Sequence, residues 1–290
     1  MHGNTIVEGL AFPEGARWRE GALYFSDMHS HQVLRWSAGR LEVLAHIPQK
    51  PSGLGFLDED TLLVASQHDR RVFRIDLRDP GAEPVLHADL TQAASWHLND
   101  LLTDQEGRAY VGNFGSGAPP GEDITPASLA LVDVDGSVRA VADDLLFPNG
   151  MALRRGGTEL VVAETRSSPG RLSVFDVAAD GSLSGRRTLV EFESEWPDGL
   201  AVDSEDGIWV ASPFSDEVIR VDVDGHVTGR LAVANPYAVA LGGQDGRDLF
   251  VCTAKTWVPE GAAVQRTGAI EVRRVDVPAS ELRAVARRLR

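Results

Sequence analysis

The amino-acid sequence predicts an all-β protein: a six-bladed β-propeller, with four antiparallel strands per blade and a ring closed by the N-terminal strand. Two observations carry that prediction. Short apolar runs of Val, Leu, Ile and Phe are broken about every ten residues by Gly, Asp, Pro or Asn, the punctuation of strands and turns. A motif made of a turn and a small, apolar strand also recurs six times, at a spacing of about 45 residues that suits a four-stranded blade. No amphipathic helix pattern precedes the basic C-terminal tail, about residues 279–290.

The repeat starts at Pro13-Glu14-Gly15, Pro51-Ser52-Gly53, Leu98-Asn99-Asp100, Pro148-Asn149-Gly150, Pro197-Asp198-Gly199 and Pro236-Tyr237-Ala238. Its second positions are 38, 47, 50, 49 and 39 residues apart. A second strand follows each start, as in Ala22-Leu23-Tyr24-Phe25, Thr61-Leu62-Leu63-Val64 and Asp248-Leu249-Phe250-Val251. Third strands tend to end in Asp, as at Ile75-Asp76, Val132-Asp133, Phe175-Asp176 and Val221-Asp222. Fourth strands such as Arg139-Ala140-Val141 lead to the next start. The sixth unit lacks an outer strand of its own, and Thr5-Ile6-Val7-Glu8 is expected to supply it and protect the open edges.

Length and composition narrow the function. A chain of 290 residues is long enough for two domains, yet propellers of this size form one unit, so a single domain over 1–290 is expected. The formal net charge of −15 argues against a nucleic-acid partner, which needs a basic face, and is compatible with a cation site. No apolar stretch suits a membrane span, and the first residues lack a basic-then-apolar leader. The lone Cys252, inside Leu249-Phe250-Val251-Cys252, reads as a buried strand residue and fits a reducing compartment. A cytoplasmic protein acting on a small molecule is expected, with monomer and dimer both open.

Innermost propeller strands all run the same way, so the turns leading into them meet at one end of the axial channel. The equivalent positions there are Glu14, Ser52, Asn99, Asn149, Asp198 and Tyr237. Two carboxylates and two carboxamides converging in a funnel form an oxygen-rich pocket suited to a hard divalent cation. Pro-Asn-Gly and Pro-Asp-Gly taken singly are ordinary turns, with Gly supplying positive φ. The shared repeat position, and a Glu where a turn would prefer Asn or Asp, favour the site. Loops between second and third strands open at the same end. Two are long: 113–128, containing Phe114 and Glu122, and 253–268, containing Lys255, Trp257 and Glu260. With Trp96, His97 and Phe214 these loops give the pocket mixed aromatic and polar walls. His29, His31, His46, His68, His87 and His226 show no metal-ligand spacing; His29 and His68 lie in channel-end loops.

These motifs carry a family resemblance. Phe12-Pro13-Glu14-Gly15, Asn99-Asp100, Phe147-Pro148-Asn149-Gly150-Met151, Trp196-Pro197-Asp198-Gly199-Leu200 and Leu241-Gly242-Gly243, in this order, resemble the SMP-30/gluconolactonase/luciferin-regenerating-enzyme family, which includes regucalcin-type lactonases. The resemblance implies one divalent cation on Glu14, Asn149 and Asp198, with Asn99 touching substrate or metal. Ca²⁺ is the first expectation, with Mn²⁺, Mg²⁺ or Zn²⁺ as alternatives. It also implies opening of cyclic esters, typically sugar lactones. Sugar-lactone members often carry Arg two residues before the Asn, where this chain has His97. That departure leaves open a less polar lactone or ester. Glu122 is a loose match to an acidic substrate contact.

On that reading Asp198 is both ligand and general base, Glu14 and Asn149 complete the metal shell, and Asn99 orients substrate or water. His97 is a second candidate proton carrier, since an unperturbed imidazole titrates near neutrality. Trp96, Phe114, Glu122, Phe214 and Trp257 are expected to contact substrate. The competing readings are the same metal acting on aryl esters, on phosphotriesters or in a non-hydrolytic step, and a non-enzymatic calcium-binding propeller.

Overall fold

The computed structural model describes residues 3–117 and 125–280. Its strands form six four-stranded antiparallel sheets around a central channel. The innermost strands, in blade order, are Pro13–Arg19, Pro51–Phe56, Leu98–Thr103, Pro148–Arg154, Leu200–Val202 and Pro236–Gly242. Blades one to five each consist of four consecutive strands. Blade six joins the two ends of the described chain, its outer strand Asn4–Leu10 pairing antiparallel with Gly268–Arg274 through Thr5↔Glu271 and Val7↔Ile270.

Burial grades outward across each blade. Second strands such as Ala22–Asp27 and Glu159–Glu164 are buried along their whole length, because neighbouring blades cover both faces. This explains why they read as unbroken apolar runs rather than alternating ones. The outer strand Leu183–Phe192 is mostly solvent-facing. The core is accordingly a set of layers between adjacent blades. In the layer between blades six and one, Val7 and Leu10 pack with Phe25, Leu34, Phe250, Cys252 and Ile270, which makes Cys252 a buried packing residue. Burying Val7 and Leu10 stabilises ring closure by about 1.5–3 kcal/mol for each side chain.

Of the glycines after the channel positions, Gly15 has the positive φ that a turn suggests, at 61°, but Gly53, Gly150 and Gly199 do not. Positive φ falls instead on the residue before the proline at Lys50 and Phe147, and likewise at Asn235. A Cβ on Gly150 would stand 2.2 Å from the backbone oxygen of Asp198, and one on Gly199 would stand 2.6 Å from Ala238 Cα. These glycines let neighbouring inner strands approach closely at the narrow end of the funnel. The register of five blades also shifts just beyond the channel positions, between Glu14/Arg17, Pro51/Leu54, Leu98/Leu101, Pro148/Met151 and Pro236/Ala238. Such bulges re-aim side chains next to sites.

The long loop 253–268 contains a short α-helix, Pro259–Gln265, which sequence periodicity does not reveal. Two turns are too few to show a period, and Gly261 lowers the helix propensity. At the other end of the described chain, Ala279 bridges to Asp203; most of the basic tail lies outside the described residues. None of the described helices is long and apolar enough to cross a membrane.

Candidate metal centre

Glu14, Asn99, Asn149 and Asp198, from blades one, three, four and five, meet in the channel. Asn99 Nδ2 donates to Asn149 Oδ1 at 2.6 Å. Asn149 Nδ2 donates to Thr165 Oγ1 at 3.1 Å, and the Thr165 hydroxyl donates to the Pro197 carbonyl at 2.7 Å. Because the carbonyl can only accept, the threonine hydroxyl must accept from Asn149. That chain fixes which end of the amide faces Thr165 and turns its oxygen to the channel. It also ties the turn carrying Asn149 to the turn carrying Asp198. On the other side the Ser52 hydroxyl donates to the Asn99 backbone oxygen at 2.7 Å, and Ser26 Oγ donates to the Ser52 carbonyl at 2.7 Å. Ser52 is thus a strut for Asn99, while Tyr237 packs against Phe12, ring centroids 4.6 Å apart.

The two carboxylates repel each other. Burial raises Glu14 to about 8, opposed by its bond from the Gly15 N–H and reinforced by Asp100. Burial, then the Glu14 and Asp100 charges, raise Asp198 well above the ordinary carboxylate range. Among the described residues neither carboxylate has a salt bridge to a cationic side chain; Arg17, the nearest, is bound to Asp100 at 2.9 Å. Two desolvated acids beside the Asn99 and Asn149 carboxamides, with no described cationic side chain paired to either, fit a divalent cation, which would relieve both the burial cost and the repulsion.

Asp100 and Arg17 are residues that sequence reasoning missed. Arg17 also donates to the Ala16 carbonyl at 2.9 Å and to the Leu101 carbonyl at 2.6 Å. It lines a cavity of about 450 Å³ at the opposite end of the channel, so the Arg17–Asp100 pair forms a floor between that cavity and the carboxylates. A regular strand would point Asp100 away from the side used by Asn99. The bulge between Leu98 and Leu101 is the feature a sequence does not show.

The expected wall residues are distributed around the mouth. His97 stacks on Trp96 at 4.7 Å and lies 4.4 Å from the His68 ring. Burial, then Lys50 and Arg70, lower its pKa, which favours the neutral imidazole and makes it a weaker base. Phe114 stacks on Phe147 at 4.4 Å. Phe214, 60% exposed, meets Trp196 edge-on, and the Trp257 carbonyl lies 3.1 Å from His29 Nε2. Phe214 and Trp257 thus stand on the outer rim rather than against Glu14, Asn99, Asn149 and Asp198. Glu122 lies outside the described residues.

Elsewhere Asp222, Asp224 and His226 bring possible ligand atoms together, which their spacing did not suggest. They sit in a hairpin where Asp222 Oδ1 accepts the N–H groups of Asp224 and His226, which is ordinary turn chemistry.

A family profile described as the SMP-30/Gluconolactonase/LRE-like region matches residues 12–255. The chain belongs to this family. It is 30% identical to a pentonolactonase from Haloferax volcanii over 83% of this chain and 81% of that one. It is 24% identical to the regucalcin of Danio rerio over 86% of this chain and 85% of the relative. In fold it resembles the calcium-binding protein regucalcin from Agrobacterium tumefaciens, with a TM-score of 0.80 at 21% identity, covering 99% of this chain and 97% of the other.

Proposed function

We propose that this protein is a divalent-cation-dependent lactonase. The observation that carries the reading is the convergence of Glu14, Asn99, Asn149 and Asp198 in the channel, with two buried carboxylates that no described cationic side chain pairs. Membership of a family with a pentonolactonase relative supports a cyclic ester as substrate. Regucalcin relatives, one a calcium-binding protein, support Ca²⁺ as the first cation to try.

Glu14, Asn149 and Asp198 are the residues that would hold the cation, with Asn99 at its edge. When bound there, a divalent cation supplies Lewis-acid polarisation of the lactone carbonyl and increases the acidity of water. The chain's own residues then have defined tasks. Asn99, anchored by Ser52, orients the incoming water or the carbonyl through its amide. Asp198 accepts the proton as the water oxygen bonds to the acyl carbon. The ring C–O bond breaks, and the same proton returns to the departing alkoxide. His97, stacked on Trp96 in the wall, is the second candidate to carry that proton. Trp96, Phe114 and the outer-rim Phe214 and Trp257 exclude water from around the ring.

The aromatic rim favours one variation on this reading, a lactone or aryl ester with an apolar ring in place of a polyhydroxylated sugar lactone. Trp96, Trp196, Phe214 and Trp257 all leave large apolar surface exposed at the mouth.

The test is a panel of sugar lactones, alkyl lactones and aryl esters, assayed after EDTA and after return of Ca²⁺, Mn²⁺, Mg²⁺ or Zn²⁺. Lactone opening that needs added cation and is lost in Asp198→Asn is the expected result. Activity indifferent to chelation, or retained in that variant, would overturn the mechanism.

A further inference from the structure

Two residues ahead of each channel position, the repeat supplies a second ring of side chains: Phe12, Lys50, His97, Phe147, Trp196 and Asn235. Lys50 is the one cation among them. It sits just before Pro51 with φ 68°, a left-handed conformation that costs energy for a residue with a Cβ. Its N–H donates to the Ile47 carbonyl at 3.2 Å and its carbonyl accepts from Gln67 at 2.8 Å. The carbonyl of Gln67 accepts from the Leu98 N–H at 3.0 Å, beside His97. Lys50, His68, His97 and Trp96 therefore form one continuous arc of the mouth.

Within that arc Lys50 is half-buried, and its charge acts on His29, His68 and His97, lowering the pKa of each. Among the described residues, the ammonium has no salt bridge or hydrogen bond; Glu260 acts on it only from a distance. The chain's other lysine, Lys255, lies at the same mouth. Many arginines of the blades, by contrast, are held in ion pairs, as Arg171 and Arg186 are on Glu164 and Arg220 is on Asp203. A half-buried ammonium without a protein partner carries a desolvation cost that an anionic ligand would offset.

We propose that Lys50 docks a carboxylate on the substrate, so that the ester opened in this channel is a lactone acid. One ammonium beside the rings of His68, His97 and Trp96 matches a single negative charge. A phosphate, with more charge and three acceptor oxygens, calls for further cationic donors. The aromatic faces of Trp96 and His97 cover the lactone ring, while Lys50 keeps the carboxylate away from Glu14 and Asp198. This inference rests on the reading of the channel as a lactone-opening site.

The experiment compares a γ-butyrolactone bearing a ring carboxylate with its primary amide, using the full chain loaded with cation. Wild-type protein prefers the acid, and Lys50→Met lowers that preference by roughly 10- to 100-fold, mainly through KM. Lys50→Arg, which keeps the charge, retains most of it and controls for folding. No preference in the wild type, or a preference untouched in Lys50→Met, overturns the inference while leaving the lactonase reading intact. If neither lactone is opened with any cation, the lactonase reading fails. Docking is then read by calorimetric titration of the ring-opened hydroxy-diacid. Binding weakened at least about tenfold in Lys50→Met supports the Lys50 site; equal binding, or none by the wild type, overturns it.

Discussion

Replacing Glu164 by Gln tests how the scaffold holds Asn149 in place. Glu164 ends the second strand of blade four and is completely buried. Its Oε1 accepts from Arg171 Nε at 3.0 Å, from Arg186 Nη2 at 2.7 Å and from the Ser173 hydroxyl. Its Oε2 accepts from Arg171 Nη2 and the Leu146 N–H, both at 2.9 Å. The Leu146 bond fixes the turn that leads to Asn149, and the next residue, Thr165, holds the Asn149 amide. Burial pushes the Glu164 pKa up, but the bonds from Arg171, Ser173, Leu146 and Arg186 outweigh it and leave the pKa at about 2. Against an ordinary 4.5 this corresponds to about 3 kcal/mol of stability. Because the folded pKa is depressed, that contribution is fully present above the ordinary value. It is lost as the pH falls from about 4.5 through about 2. At pH ~3 less than half of it remains.

Glu164→Gln removes the charge, keeps the shape and turns an amide donor toward guanidinium donors. Urea unfolding followed by circular dichroism should show a loss of about 3 kcal/mol at neutral pH. Melting should fall by about 5 °C, from an unfolding entropy of about 2.1 cal/mol/K per residue. The gap between variant and wild type should shrink to under half of that at pH ~3. An equal gap at both pH values, or one below about 1 kcal/mol at neutral pH, would refute the assignment of a charged, multiply bonded Glu164.

Other perturbations reach the centre and the ring directly. Millimolar Ca²⁺ or Mn²⁺ should raise the wild-type melting temperature, and Asp198→Asn or Glu14→Gln should abolish the rise; an undiminished rise in both would place the cation elsewhere. Arg17→Met leaves the buried Asp100 carboxylate unpaired beneath Glu14 and should cost about 3 kcal/mol in urea unfolding. Adding Asp100→Asn should recover part of that loss, and additive losses would contradict a direct pair. Deleting residues 1–10 uncovers the edge of Gly268–Arg274 and removes Val7 and Leu10 from the core. It should cost at least about 4 kcal/mol, and an unchanged urea midpoint would count against closure by that strand.

The repeat made much of this architecture legible before any coordinates. Strand runs and turn residues are local signals, so the six blades and the closing strand followed from counting periods. Equivalent positions then brought Glu14, Asn99, Asn149 and Asp198 together, although they span most of the sequence. What stayed hidden depends on register and on neighbours distant in the chain. Asp100 reaches the channel only through a bulge. Thr165 matters only because its hydroxyl meets Asn149 on one side and the Pro197 carbonyl on the other. Gly150 and Gly199 looked like sources of positive φ, yet the contacts that require them come from the next blade. Lys50 stood in the repeat at the same offset as His97. Its significance depends on the missing ion pair, and a sequence cannot show which charges find partners.

The closing pair Thr5↔Glu271 also has a kinetic consequence. During vectorial synthesis every inner turn can be made, blade by blade, while the first strand still waits for a partner that emerges near the end of the described chain. Closing so long a loop comes late, because the entropy of bringing its ends together is lost before any contact offsets it. Until then blade one, which carries Glu14, has no settled place beside blade six, and Glu14 none across the channel from Asp198 of blade five. The candidate centre therefore reports on the topology of the whole ring: a chain that stalls before closure has all of the ligand residues and no site.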